Sequence, residues 1–465
     1  MTTLTLPLES AHLPMYKRIF DYLKAEIRNG HWKAGSTLPS IRKCALELHV
    51  NKNTVDAAYQ LLLSEGYIYS VPKKGYVVAP LADTVLSNSI KPPAPSTVNT
   101  PEIIDFKYGN VELRHFPISV WNRLRSRLFK QFAEQYEAVG NPYGEAALRS
   151  EITKLVHSAR GIHVREDQII IGSTPQQLVT VLAQLLDREH IRLGVENPGY
   201  DGARLVFHNM GYDVTGIPLL EDGIDLDFAE RSGFNALYVS SSQQFTSKLV
   251  MPLHKRMQLA AWASAHKNRW LIEDDYEWEY RYAETPLPSI CSIEGLHNKI
   301  YIGSLSKSIL PLCHVSYMIL PHSLIEVMDN KLSEYDQPVS RLDQLTLAAF
   351  LAEGCWHKHI ARMRKYYEQK MKQLQQAILT YMGDSVSIQG KDMGMHVFLE
   401  VHLECTEEEL LAQAHAAGVR VYGTSRYWTE ATTRWPAVLL GVGTLDEAEM
   451  IAGVKLLASS WFPSS

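Results

Sequence analysis

Tyr301-Ile-Gly-Ser-Leu-Ser-Lys307-Ser-Ile-Leu-Pro311 is the stretch from which the rest of this 465-residue chain can be read. Upstream of it stands Trp270-Leu-Ile-Glu-Asp274-Asp-Tyr276. Each is a short apolar run ending in polar residues, the pattern of a buried strand that emerges at its C-terminal end. In open α/β sheets ligands sit beyond those ends, so Asp274, Tyr276 and Lys307 are expected to converge. A lysine amine condenses with an aldehyde to an imine, a carboxylate keeps a pyridine nitrogen protonated, and a phenol hydrogen-bonds a ring oxygen. Together these three groups suit pyridoxal phosphate. Each alone is weak: a lysine after a strand is more often solvated, and Asp-Asp-Tyr is more often a turn.

In their combination and spacing these residues resemble the aspartate-aminotransferase (fold type I) family of pyridoxal-phosphate proteins. The nearer resemblance is to the MocR/GabR branch of bacterial GntR-type regulators, in which such a domain follows a DNA-binding one. The length suits a large α/β domain plus a small one, and 46% hydrophobic with 21% charged residues is ordinary for a globular protein. No apolar run approaches the ~20 residues of a membrane span, and no basic-then-apolar secretion pattern opens the chain. Five scattered cysteines without a Cys-x-x-Cys pair indicate neither a zinc site nor a disulfide framework. A cytoplasmic protein with no membrane partner is expected. The net charge is −5, yet residues 15–80 hold seven Lys and three Arg against two Asp and three Glu, which leaves −10 for the remainder. A basic segment on an acidic body suggests that only that segment meets phosphate.

Within that segment, residues 14–29 place Ile19, Leu23 and Ile27 on one helical face. Pro39-Ser40 opens a second helix through Leu48, with Pro in its first turn. Asn51 caps a third helix, in which Val55, Ala58, Tyr59 and Leu62 recur at helical spacing. Tyr67–Val71 and Tyr76–Val78 read as strands around Pro72-Lys-Lys-Gly75. The sum is a winged helix–turn–helix over residues 12–80. Its third helix would offer Lys52, Asn53 and Thr54 to the major groove, Ser40 and Arg42 would meet phosphates, and Lys73 and Lys74 would lie along the wing. On these cues alone a small helical interaction module remains an alternative. The wording Leu38-Pro-Ser-Ile-Arg42, Val50-Asn-Lys-Asn-Thr-Val55, Glu65-Gly-Tyr-Ile and Lys74-Gly-Tyr-Val-Val-Ala79 resembles the GntR family. That resemblance implies sequence-specific binding to a double-stranded DNA operator.

Residues 81–104, rich in Pro, Ser, Thr and Asn, read as a tether. From 105 to 465 strands and helices alternate as in a mostly parallel sheet covered on both faces. Here the resemblance continues through Asn141-Pro-Tyr-Gly144 and Val195-Glu-Asn-Pro-Gly-Tyr200, and it implies that Tyr200 stacks on the pyridine ring. There are also departures. His314 stands where the family usually has an arginine for the cofactor phosphate, and Thr174-Pro175 replaces a Gly-Ser before Gln176-Gln177. Proline removes one N–H donor, leaving Ser304, Ser173 and Thr174 as phosphate ligands beside His314. Ser242-Gln-Gln244-Phe-Thr-Ser-Lys248 replaces the usual Ser-His-Gln-Phe-Pro-Thr-Gly, with Gln244 expected near the ring oxygen. The late arginine that clamps a substrate carboxylate is missing from Ala437–Gly443, and Arg434 is out of register.

These features imply a regulator, not an enzyme, whose body binds pyridoxal phosphate through Lys307 and senses the cofactor or an amine or amino-acid effector. A domain-swapped, head-to-tail homodimer is implied by the family. Two alternatives stay open: a regulator that no longer binds the cofactor, and a genuine aminotransferase.

Overall fold

The structure, a computed structural model, describes residues 14–72, 74–80, 103–135, 140–246, 248–282, 287–309, 313–390, 393–429 and 435–463. It divides into one unit of Met1–Asn99 and another of Thr100–Ser465. The tether expected at 81–104 lies, up to residue 102, outside the described residues.

In the first unit, α1 (Met15–Arg28) buries Ile19, Phe20, Leu23 and Ile27. These pack on α2 (Ile41–Glu47) and on the Val55, Ala58, Tyr59 and Leu62 face of α3 (Lys52–Ser64). β1 (Ile68–Val71) and β2 (Gly75–Val78) form the antiparallel hairpin, with Ile68 opposite Val78. The hydrophobic spacing therefore locates every element to within a residue or two. One local reading changes: Pro39 is not in the first turn of α2 but precedes the cap. Ser40 is that cap, its hydroxyl accepting the Lys43 N–H at 3.3 Å, because a hydroxyl satisfies an otherwise unpaired helix donor and a proline cannot. Asn51 caps α3 in the same manner, accepting from Asn53 N–H at 2.9 Å.

The second unit opens with β3 (Ile104–Asp105), which pairs in parallel with Val419–Arg420; Ile104, assigned above to the tether, is thus already strand. Helices α4 (Ile118–Gln135), α5 (Ala146–Arg160), α6 (Pro175–Leu185) and α7 (Asp201–Asn209) alternate with strands of the main sheet. Those strands are β4 (Ile169–Gly172), β5 (Arg192–Asn197), β6 (Asp213–Leu220), β7 (Gly223–Ile224), β8 (Ala236–Val239), β9 (Trp270–Asp275), β10 (Lys299–Ser304) and β11 (Ser316–Ile319). Their order is β4-β11-β10-β9-β8-β5-β6-β7. Four of the seven neighbouring pairs are parallel, which makes the sheet mostly parallel as expected. Alternate residues serve opposite faces: Tyr238, Ile272 and Ile302 join one core, Leu237, Val239 and Leu271 another. A second, antiparallel sheet joins Val386–Gln389, His396–Val401, Ala437–Gly441 and Tyr422–Gly423.

The end of β9 is anchored on one face. Arg160, at the end of α5, donates through Nε to Asp275 at 2.7 Å, and through its other nitrogens to Ser242 Oγ at 2.8 Å and Leu287 O at 3.0 Å. Tyr301 adds a hydroxyl bond to Asp275 at 2.7 Å. Glu273 accepts from the hydroxyls of Ser241 and Ser289 and from the N–H groups of Ile290 and Cys291. Removing one member of a buried ion pair leaves the other charge uncompensated, at about 3–5 kcal/mol. Arg160→Met is therefore expected to lower unfolding stability by about that amount, read as a shift of the urea midpoint; an unchanged midpoint would refute the anchoring role.

Candidate functional site

β9 and β10 run in register, Asp274 beside Ile302 and Asp275 beside Gly303. The chain segments leaving both strands therefore emerge together. Beyond them opens a cleft of about 320 Å³ lined by Tyr108, Gly109, Thr174, Pro175, Tyr200, Phe245, Asp274, Tyr276, Glu277, Ser304, Ser306, Lys307 and His314. Lys307, Asp274 and Tyr276, singled out by their place after apolar runs, thus share one wall system with Tyr200, Ser304, Thr174 and His314.

Asp274 is buried, and its Oδ2 accepts the Tyr238 hydroxyl at 2.5 Å. Its Oδ1 has no partner among the described residues, and burial pushes the carboxyl up to about 6. The Tyr276 hydroxyl is likewise buried and unpartnered. Buried polar atoms are costly unless hydrogen-bonded. A protonated ring nitrogen would satisfy the first orphan and a ring oxygen the second, so the donor set fits pyridoxal phosphate. Lys307 Nζ forms an ion pair with Glu277 and lies 5.5 Å from the Tyr276 ring centre. Its backbone is held by the Tyr280 hydroxyl, which donates to Lys307 O at 3.0 Å.

Around the expected phosphate position the hydroxyls are partly committed. Thr174 Oγ1 caps α6, accepting Gln177 N–H at 3.1 Å. Pro175 is the first residue of that helix, where its missing N–H is one fewer donor to an anion. Ser304 Oγ accepts from Ser316 Oγ at 3.0 Å. His314 is exposed at the cleft. Two expected positions differ. Ser173 does not line the cleft, and its N–H turns to the Gln177 side chain at 3.2 Å. Gln244 is wholly buried off the cleft, donating to Glu196 at 3.0 Å. Glu196, pushed up to about 7 by burial, accepts this amide and the Ser240 N–H.

Several residues at or next to the site carried no sequence signal: Tyr238, Tyr108, His396 and, above all, Glu277. Glu277 is wholly buried with a left-handed backbone (φ 57°). Burial opposes its charge, but Lys307, His396 and Lys248 overcome that and hold its carboxyl down at about 2. Lys248 did leave a trace, as a lysine where glycine is usual. Its φ of 59° is the glycine-favouring region, and its buried amine, lowered to about 7 by desolvation, lies 3.2 Å from His396 Nδ1.

In the first unit Ser40, Arg42, Lys52, Asn53 and Lys74 are exposed and Thr54 is half-buried. Lys73 lies outside the described residues, as does Arg434. Among the described residues neither Arg42 nor Lys52 forms an ion pair.

The model of bacterial regulatory proteins of the gntR family matches residues 15–78. The uncharacterised HTH-type transcriptional regulator YdeL of Bacillus subtilis (strain 168) is 35% identical, covering 97% of both chains. The probable rhizopine catabolism regulatory protein MocR of Rhizobium meliloti is 28% identical over 97% of this chain and 94% of its own. Among solved structures, the kynurenine aminotransferase of Pyrococcus horikoshii in complex with PMP aligns at a TM-score of 0.70 and 22% identity, over 78% of this chain and 91% of its own; that likeness shows the fold. With a GntR-type DNA-binding unit in front, an aminotransferase fold behind and full-length relatives that are regulators, the chain belongs to the MocR/GabR subfamily of GntR-type transcriptional regulators.

Proposed function

We propose that the aminotransferase-like unit of this regulator holds pyridoxal phosphate at Lys307 and reports its presence, or that of an amine exchanged onto it, to the DNA-binding unit. The observation that carries this reading is the pair of buried, unpartnered atoms, Asp274 Oδ1 and Tyr276 Oη, on the walls of the cleft that Lys307 enters. Bound there, the cofactor supplies an aldehyde that amines capture reversibly. Lys307 anchors that aldehyde, Asp274 faces the ring nitrogen, and Tyr276 donates to the ring oxygen. Tyr200 offers an aromatic face, and Thr174, Ser304 and His314 take the phosphate. The kynurenine aminotransferase that shares the fold is in complex with PMP, which supports the same choice of cofactor.

Transamination needs an amino acid held with its Cα–H bond aligned to the ring. No arginine lines the cleft among the described residues to clamp a carboxylate. Signalling asks less: the ligand must bind two conformations of the body with different affinity. In a head-to-tail, domain-swapped homodimer that difference would reposition two DNA-binding units over two half-sites. Ser40, Arg42, Lys52, Asn53, Thr54, Lys73 and Lys74 are the proposed DNA contacts.

Protein incubated with cofactor and then freed of the excess is expected to stay yellow, and Lys307→Ala to be colourless after the same treatment while still binding DNA; a wild type that emerges colourless would overturn the reading. Rapid amino transfer to a keto acid would instead mark an enzyme. His314→Arg is expected to tighten cofactor binding by roughly fivefold to tenfold, about the gap between a neutral and a charge-assisted hydrogen bond, measured by equilibrium dialysis. For the DNA-binding unit, Arg42→Ala or Lys52→Ala should weaken operator binding, and loss of a phosphate contact should flatten the log–log salt slope by about 1. Salt-independent affinity would contradict the assignment.

A further inference from the structure

We infer that Glu277 is the docking carboxylate for Lys307 once a primary amine has replaced the lysine on the cofactor, and that it thereby sets how readily such amines are sensed. This rests on the cofactor reading above. Lys307 Nζ is seen paired with Glu277 in the cleft. Glu277 is wholly buried, yet Lys307 is its single side-chain hydrogen-bond partner among the described residues, and its Oε2 has none. Glu273, on the strand before it, is satisfied by two hydroxyls and two backbone N–H groups. Glu279, just after it, has no partner at either oxygen among the described residues; of the three, Glu277 alone pairs with the cleft lysine. Glu277 instead spends its charge on a flexible side chain whose terminal atom has a second place to be.

Two other basic groups act on Glu277, Lys248 and His396, and burial makes each of them less basic than usual. They lie 3.2 Å from each other, Lys248 Nζ to His396 Nδ1. The buried Gln243 amide, close to Glu277 across Gly394, has no partner at either end. When Lys307 is joined to the aldehyde carbon, Glu277 loses its ammonium. When a primary amine exchanges, its nitrogen forms the new bond to that carbon as the lysine bond breaks. The incoming amine arrives as an ammonium ion, and its three hydrogens end on Lys307, which pairs with Glu277 again. Atoms and charge balance without an oxidant or a further reactant. A secondary amine would instead leave a fixed positive charge on the new nitrogen and would not restore a neutral imine. The ligand class is therefore a primary amine received between Tyr108, Tyr200 and Phe245, with no arginine among the described lining residues to demand a carboxylate.

The test uses full-length protein loaded with pyridoxal phosphate and titrated with n-butylamine. Borohydride reduction then fixes whatever bond exists, and intact mass gives the fraction of cofactor attached to protein. A hydrogen bond to a charged group is worth a factor of about ten to one hundred, so Glu277→Gln is expected to need about that much more amine to halve the attached fraction. Glu277→Asp, which keeps the charge but draws it back by one methylene, is expected to fall between Gln and wild type. Either folded variant matching wild type overturns the inference, and so does Glu277→Asp shifting as far as Glu277→Gln. Wild-type protein that takes up no cofactor defeats the underlying reading instead, so the two failures are distinguishable.

Discussion

The Arg160–Asp275 ion pair holds the end of β9, and the geometry of the cleft depends on that end staying where it is. Desolvating two charges costs several kcal/mol per ion unless geometry and further bonds compensate. Here the guanidinium meets a carboxylate, a hydroxyl and a carbonyl at 2.7–3.0 Å. The same strand carries three consecutive acids, Glu273, Asp274 and Asp275, and the two-residue period of a strand separates them. Glu273 and Asp275 turn to one face and are held by hydroxyls, N–H groups and Arg160. Asp274 turns to the other, receives one hydroxyl from Tyr238, and keeps an oxygen free at the cleft. Glu273, bonded at both oxygens, and Asp275, held at Oδ2 by Arg160 and Tyr301, fix the backbone from which Asp274 faces the cleft. Poised polar atoms of this kind persist only where the surrounding structure over-determines them.

Much of this was legible in the sequence, for reasons that differ by element. The three helices of the DNA-binding unit follow from Ile19, Leu23, Ile27 and from Val55, Ala58, Tyr59, Leu62, because a helix that must bury one face declares it every three or four residues. β9 and β10 follow from their apolar runs, and their common C-terminal edge places Asp274, Tyr276 and Lys307 together before any coordinates are known. What stayed hidden was set by contacts distant in sequence. Gln244 reads as a cleft residue by its neighbours, but Glu196, 48 residues earlier, takes its amide. Ser173 lies one residue from a cleft residue, and the helix start turns its N–H to Gln177. Glu277 follows a tyrosine of the site and reads as one more charged residue in a polar turn. Only its burial and its pairing with a lysine 30 positions away distinguish it.

The arrangement of charge also separates holding a ligand from turning it over. An aminotransferase must clamp the substrate at a second point so that one bond lies perpendicular to the ring, and among the described residues no arginine lines the cleft to do so. A sensor needs reversible exchange and a difference between two states. On the proposed reading Glu277 would give the displaced lysine a rest position, the aromatic walls would accept an alkyl or aryl amine without specifying its far end, and His314 and Pro175 would loosen the phosphate grip. Behind Glu277, Lys248 occupies a backbone conformation suited to glycine, with an amine lowered to about 7 against a histidine. Trp278 and Tyr280, just past Glu277, pack on Trp356 and Tyr367 of the long helix Cys355–Met382. Glu277 thus sits one and three residues from the two side chains that fasten this segment to that helix.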